Sequence, residues 1–483
     1  MGLPDPHYVT PAAPSPAPVS IWVTPRVLHI RAILVLGVTA FATVGAAVAF
    51  IGAVTGADYM LGFKRLLDLN GERNLPTWFS SGILLAAAAL LGGLAADTGR
   101  PHRRAWVFLS IVFVYLSLDE AASIHEMSNA PLRALLHAGP ALYFPWIIGG
   151  LALAGIVLAV EWRMLRALPP RTAVAFVVSG AVYVAGAVGF EELAAPLYAR
   201  HAHPVVQAGL LVAEESLEMI GVALFIVALA RYWTIDRTAL TFDFAEASPR
   251  PARSSVVSLP PRTVLRVLLV AAAALAAVNL TLQSIHFLTP LHMPRLVRLF
   301  DLAREGNVPT WVQSYTLLGC GALAALVAFA EWQHRSPFRV HWALTALFCV
   351  YLSADEAASI HEMAVRPLRS AFHTGGLLYY PWIVVGAAAA LAVALASHRF
   401  IRSLPPRTRR TVIVAAVVYV AGALGVEALG GMYAETHGQR NLSYGLITTV
   451  EETLEMAGMS IAAFALLEYL RDHIGRIRLS IAA

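Results

Sequence analysis

Runs of about 20 apolar residues follow one another along most of this chain, separated by short connections that carry arginine. A helix needs about 20 such residues to cross the hydrocarbon core of a bilayer. The runs predict spans near 32–56, 77–96, 105–126, 142–162, 173–195 and 205–230, then near 265–288, 310–331, 342–362, 378–397, 411–430 and 443–469. The expected fold class is an all-α integral membrane protein with about twelve transmembrane helices, arranged as two parallel six-helix repeats.

The polar positions between and within the runs recur. Leu75-Pro-Thr-Trp78 returns as Val308-Pro-Thr-Trp311, and Tyr143-Phe-Pro-Trp146 as Tyr379-Tyr-Pro-Trp382. Leu168-Pro-Pro-Arg-Thr172, Tyr183-Val-Ala-Gly-Ala187 and Glu214-Glu-Ser-Leu-Glu-Met219 each have a second copy, at Leu404–Thr408, Tyr419–Ala423 and Glu451–Met456. The repeats run over 31–233 and 264–470, joined by a polar linker, 234–263. Residues 1–30, rich in Pro and Ala, read as a disordered tail without a cleavable signal; residues 471–483 form a C-terminal tail.

Arginine falls on every second connection: Arg26 and Arg31, Arg100 to Arg104, Arg163 to Arg171, Arg231 and Arg237. The positive-inside rule makes those connections, both termini and the linker cytoplasmic. Six spans per repeat is an even number, so the repeats are parallel and not inverted. Composition agrees: 58% hydrophobic and 13% charged, against about 25% charged in a globular domain. The net charge of +5 lies mostly on loops and signals topology, not nucleic-acid binding. Cys320 and Cys349 have no partners in the first repeat, which argues against a disulfide framework or cysteine metal site.

One motif is chemically expensive. Tyr115-Leu-Ser-Leu-Asp119-Glu120-Ala-Ala-Ser-Ile-His125-Glu126-Met127 returns at Tyr351–Met363 with one change, Leu118 to Ala354. On a continuous helix, Tyr115, Asp119, Ser123 and Glu126 would share one face. Glu191 ends the fifth span, and Glu214, Glu215 and Glu218 share a face of the sixth. The second repeat supplies Asp355, Glu356, His361, Glu362, Glu427, Glu451, Glu452 and Glu455. Glu192, His201 and His203 do not recur in register and are left out. Five carboxylates at roughly 2.5–3.5 kcal/mol each would cost about 15 kcal/mol at the bilayer centre, as much as a typical net folding stability. The spans hold no Lys or Arg near these acids, so they are expected to be protonated, hydrated or metal-bound.

Carboxylates with one His per repeat suit a divalent metal: Fe, Mn, Zn or Ca. The layout shares the logic of carboxylate-bridged di-metal bundles but lacks their Glu-x-x-His pairs. The plainer readings are an interface histidine at His125 and carboxylates reaching water at Glu126, Glu191 and Glu215. Asp68, Asn70 and Glu72 have the alternate spacing of a calcium loop, yet Asn, Pro and Trp beside them make a helix-capping turn the favoured reading. Arg133 and His137, with Arg369 and His373, could hold an anionic headgroup or simply anchor the interface.

Two function classes follow. The first is a membrane-embedded metalloenzyme, hydrolase or oxidoreductase, with one site in the outer half of each repeat. The second is a cation or proton-coupled secondary transporter, whose site should lie at the repeat interface near the midplane. The expected partners are the lipid bilayer and a lipid or small-ion substrate.

Overall fold

The computed structural model describes residues 20–56, 62–69, 71–137, 143–200, 203–245, 255–291 and 293–483. Residues 1–19, Asn70 and His201, on which the sequence reading also touched, lie outside them.

Apolar runs become helices because a helix satisfies its own backbone hydrogen bonds where water is absent. In the first half these are α1 (Val27–Thr55), α2 (Phe63–Leu67), α3 (Leu75–Ala95), α4 (Arg103–Ala122), α5 (Ile124–Leu136), α6 (Trp146–Ala167), α7 (Pro170–Val184), α8 (Glu191–Arg200) and α9 (Pro204–Ile235). The second half follows the same order: α10 (Pro261–Leu288), α11 (Pro294–Phe300), α12 (Val308–Gln333), α13 (Arg339–Ala358), α14 (Val365–Phe372), α15 (Trp382–Ser403), α16 (Pro406–Val420), α17 (Glu427–His437) and α18 (Leu442–His473). Among the described residues, ten helical stretches are long and apolar enough to cross a membrane, and α13 with its bent continuation makes an eleventh. Large apolar side chains such as Leu36, Val270 and Leu395 stand exposed on their flanks, as lipid-facing residues do.

α9 lies at the centre of the first half and α18 at the centre of the second. α9 buries Met219, Val222, Phe225, Ile226, Leu229 and Trp233 against α1, α3 and α7. The halves meet where α3 and α4 face α12 and α13. The contacts there are reciprocal. The Trp78 indole donates to the Ser353 hydroxyl at 2.9 Å and the Trp311 indole to the Ser117 hydroxyl at 3.0 Å. Ser81 bonds Ser117 and Ser314 bonds Ser353, each within its own half. Tyr315 donates to the Trp78 carbonyl at 3.1 Å. Just above, the side chain of Arg73 rests against Gly306.

The structure adds a small sheet that an all-α expectation lacks. β1 (Ser20–Val23), β2 (Ala239–Asp243), β3 (Val256–Ser258) and β4 (Arg476–Ser480) lie in the order β1-β4-β2-β3. β1 pairs parallel to β4, β4 antiparallel to β2, and β2 parallel to β3. These strands come from segments the sequence reads as tails and linker, so both tails and the linker meet at one end of the helices. Ile21, Phe244 and Ile477 are buried with the ends of α12 and α18, and Leu240 and Ile481 with the first half.

The turn before the second long helix of each half is a cap. Asn74 accepts from the Thr77 N–H at 2.9 Å, and Asn307 from Thr310 at 3.1 Å, with proline in the first turn that follows. Each asparagine also donates to carbonyls of the preceding loop, Asp68 and Gly71 or Asp301 and Arg304. Both are fully buried. Asn74→Ala is therefore expected to lose at least the 0.5–2 kcal/mol typical of a cap. A thermal midpoint in detergent equal to that of the parent would show that the cap contributes nothing.

Candidate functional site

The repeated motif does not run on as one helix. α4 ends at Ala122 and α13 at Ala358, and the next residues, Ser123 (φ 50°, ψ 45°) and Ser359 (φ 47°, ψ 47°), are left-handed. The following helix leaves at 68° to α13 in the second half. The shared face expected for Asp119, Ser123 and Glu126 is thus broken. No Gly or Pro marks the break, and a left-handed serine costs about 1–2 kcal/mol. The aspartate offsets it. Asp119 Oδ1 accepts the His125 backbone N–H at 2.8 Å, satisfying one of the free donors of α5. Asp355 does the same for His361 at 2.8 Å.

The other aspartate oxygen reaches the imidazole. Asp119 Oδ2 lies 2.8 Å from His125 Nδ1, and Asp355 Oδ2 lies 2.9 Å from His361 Nδ1. In the neutral imidazole, a carboxylate at Nδ1 fixes the tautomer and puts the lone pair on Nε2. The ring is clipped from the other side by tryptophan. Trp146 packs on His125 with centroids 4.6 Å apart, and its indole donates to Glu191 Oε1 at 2.9 Å. Trp382 repeats this with His361 at 4.5 Å and Glu427 at 2.7 Å. The sequence reading used both tryptophans only as repeat markers. Their recurrence in Tyr-x-Pro-Trp was the available signal.

A second missed feature sets the glutamates of the last helix. α7 passes into a π-helical segment, Ala185–Phe190, before Glu191, and α16 into Ala421–Val426 before Glu427. Single π turns inside helices recur at functional sites. Here they bring the backbone against α9 and α18. A Cβ on Gly186 would lie 2.9 Å from the Glu214 carbonyl, and one on Gly422 would lie 2.8 Å from that of Glu451. A side chain there would push Glu214 and Glu218, or Glu451 and Glu455, away from the bundle.

The acids therefore gather in two layers at the end of each half away from the sheet. His125, Glu126, Glu191 and Glu214 lie within electrostatic reach of one another. Further in, Glu120, Glu215 and Glu218 face each other. The second half groups His361, Glu427 and Glu451 with Glu356, Glu452 and Glu455. Gln313 donates to Glu452 there. Glu126 and Glu362 are exposed at the mouth. Among the described residues, no three His, Cys, Asp or Glu side chains already stand in a metal-holding arrangement.

The arginines that sequence reasoning could not find come from the opposite half. Arg65 on α2 pairs with Glu362 at 3.1 Å, and its counterpart Arg298 on α11 approaches Glu72 at 3.7 Å. Glu72 and Glu305, from the capping turns, join the acid field of Glu126 and of Glu362. Burial pushes the Glu305 carboxyl well above the usual range, and Glu362 and Glu356 add to it. Arg133 on α5 and Arg369 on α14 are occupied locally. Arg133 donates to the Tyr143 carbonyl and stacks on its ring, and Arg369 does so at Tyr379.

None of the curated proteins and none of the solved structures matches this chain. One family does, over residues 32–233 and again over residues 266–469, close to the limits of the two repeats. With most of its length matched in this way, the chain belongs to the family described as Domain of unknown function (DUF8692).

Proposed function

We propose that this is a twelve-span membrane protein of two parallel six-helix halves, with termini and linker cytoplasmic, and that each half holds a divalent cation. α9 supplies the twelfth span, since its 32 residues reach about 48 Å. The sheet supports the topology: strands bonded to one another must share a side of the membrane, which requires an even number of crossings between them. The arginine phase then places that side in the cytoplasm.

One observation carries the cation reading. In both halves an aspartate occupies His Nδ1, and two carboxylates from other helices, Glu191 and Glu214 or Glu427 and Glu451, lie within electrostatic reach of the ring. That is how proteins orient a metal-binding imidazole. His125 Nε2, Glu191 and Glu214 would hold the ion in the first half, and His361, Glu427 and Glu451 in the second. Asp119 and Asp355 would orient and not ligate. A nitrogen donor among carboxylates favours Fe, Mn or Zn over Ca. The cation would supply Lewis acidity or redox chemistry, which makes a membrane-embedded hydrolase or oxidoreductase the leading reading. Glu120, Glu215 and Glu218, which face no arginine among the described residues, would store and pass protons.

That inner group of carboxyls also favours a second reading, a proton-coupled carrier. Against it, the acids sit within each half, whereas the seam between halves is filled by Trp78, Trp311 and Tyr315. Elemental analysis of the purified protein separates the two. The cation reading expects equal metal per half, with His125→Ala combined with Glu214→Gln removing about half of it. Metal-free protein after several purification conditions, with proton-driven uptake in vesicles, would establish the carrier instead.

A further inference from the structure

Beside the first acid–histidine cluster, α5 and α11 flank an open cavity of about 280 Å³ lined by Glu126, Met127, Ala130, Pro294, Arg295 and Arg298. It lies between the halves, at the end away from the sheet. Its volume is just below the roughly 300–1,000 Å³ of a pocket that encloses a whole small ligand. It suits one compact polar group with a chain leading out of it.

The walls indicate what that group is. α11 presents two guanidinium groups one turn apart, at Arg295 and Arg298, and α5 presents one carboxylate, Glu126. The lining is net positive. Arg298 approaches Glu72 at 3.7 Å, too far for a good hydrogen bond. No ion pair or hydrogen bond engages Arg295 among the described residues, and it is exposed. One guanidinium fork is enough for the two oxygens of a carboxylate. Two forks suit a group with three or four acceptor oxygens, which is phosphate. The remaining walls are apolar: Met127, Ala130 and Pro294. Leu291 and Leu296 stand exposed on the same stretch as α11, and Leu135 and Leu136 at the end of α5. An alkyl chain leaving the cavity would meet these side chains and then lipid.

We propose that this cavity binds the phosphate ester group of an amphiphile and presents it beside His125 and Glu126. Binding depends only on the cavity. That the bound amphiphile is the substrate rests on the cation reading above.

The test uses the full chain in a phosphate-free maltoside detergent, with dodecyl phosphate, dodecanoate and inorganic phosphate as probes in calorimetric titrations. Dodecyl phosphate is expected to bind, and Arg295→Gln to weaken it about tenfold or more, as loss of a charge-assisted bond would. Arg304→Gln, outside the cavity, is expected to leave it unchanged. Glu126→Gln is expected to tighten it by removing the like charge from the lining, an effect that a structural role for Glu126 would not produce. Equal binding of dodecanoate would overturn the phosphate assignment, and equal binding of inorganic phosphate the amphiphile. An unchanged constant in Arg295→Gln would overturn the site. Metal content is read on the same samples. Lost probe binding with full metal content isolates failure to the cavity, and retained probe binding in metal-free protein isolates it to the cation reading.

Discussion

Asp119→Asn is expected to lower metal affinity in the first half by about 10- to 100-fold, the usual consequence of removing the partner that orients a metal-binding histidine. The substitution is close to isosteric. An asparagine oxygen can still accept the His125 backbone N–H, so α5 keeps its cap. The amide, however, would turn a donor toward Nδ1. The imidazole would then carry its proton on Nε2, and the nitrogen meant for the cation would become a donor. Fold and function separate in this variant. At limiting metal, the single variant should retain the share of the second half, and Asp119→Asn with Asp355→Asn should retain almost none. A double variant with the parent's affinity would end the idea that these aspartates set the tautomer.

Gly221→Ala is expected to destabilise the first half by about 1–3 kcal/mol, the range for forcing an added methyl into a packed site. Its Cβ would lie 2.7 Å from the Tyr183 nitrogen and 2.9 Å from the Tyr183 Cα. Backbone cannot swing aside as a side-chain tip can, so α7 and α9 must part. The glutamates of α9 would move with them. Gly458 meets Tyr419 at the same distances in the second half, and two such distant substitutions should add. Close approach through small residues is how membrane helices gain packing energy without a hydrophobic drive. Gly180 provides the contrast, because a Cβ there would meet nothing within 4 Å. If Gly221→Ala and Gly180→Ala leave the thermal midpoint in detergent equally unchanged, the close contact is not limiting.

Most of the spans were legible because burial in lipid demands long, uninterrupted apolar runs, and the observed helices begin and end within about seven residues of those runs. The recurrence of the acids was legible for the same reason, since polar residues stand out against such a background. Their arrangement was not. Nothing in Asp-Glu-Ala-Ala-Ser-Ile announces a left-handed serine, because the aspartate that stabilises the break acts from the preceding turn. Arg65 and Arg298 answer acids in the opposite half, a relation that no spacing within one repeat encodes. The strands are short and lie in polar segments. Arg476-Ile-Arg-Leu-Ser480 does alternate polar and apolar residues, but five residues beside a long helix read as its frayed end.

Arg73 and Gly306 hold matching places in the two repeats, each one residue before the capping asparagine, and they meet at the seam. A Cβ on Gly306 would collide with the Arg73 Cγ and Nε. Only one of the two positions can therefore carry a side chain. Two copies of the first half, set face to face, would drive guanidinium into guanidinium. At this contact the halves are thus complementary pieces and not interchangeable ones. Joining them in one polypeptide guarantees that each always finds the other, in a one-to-one ratio.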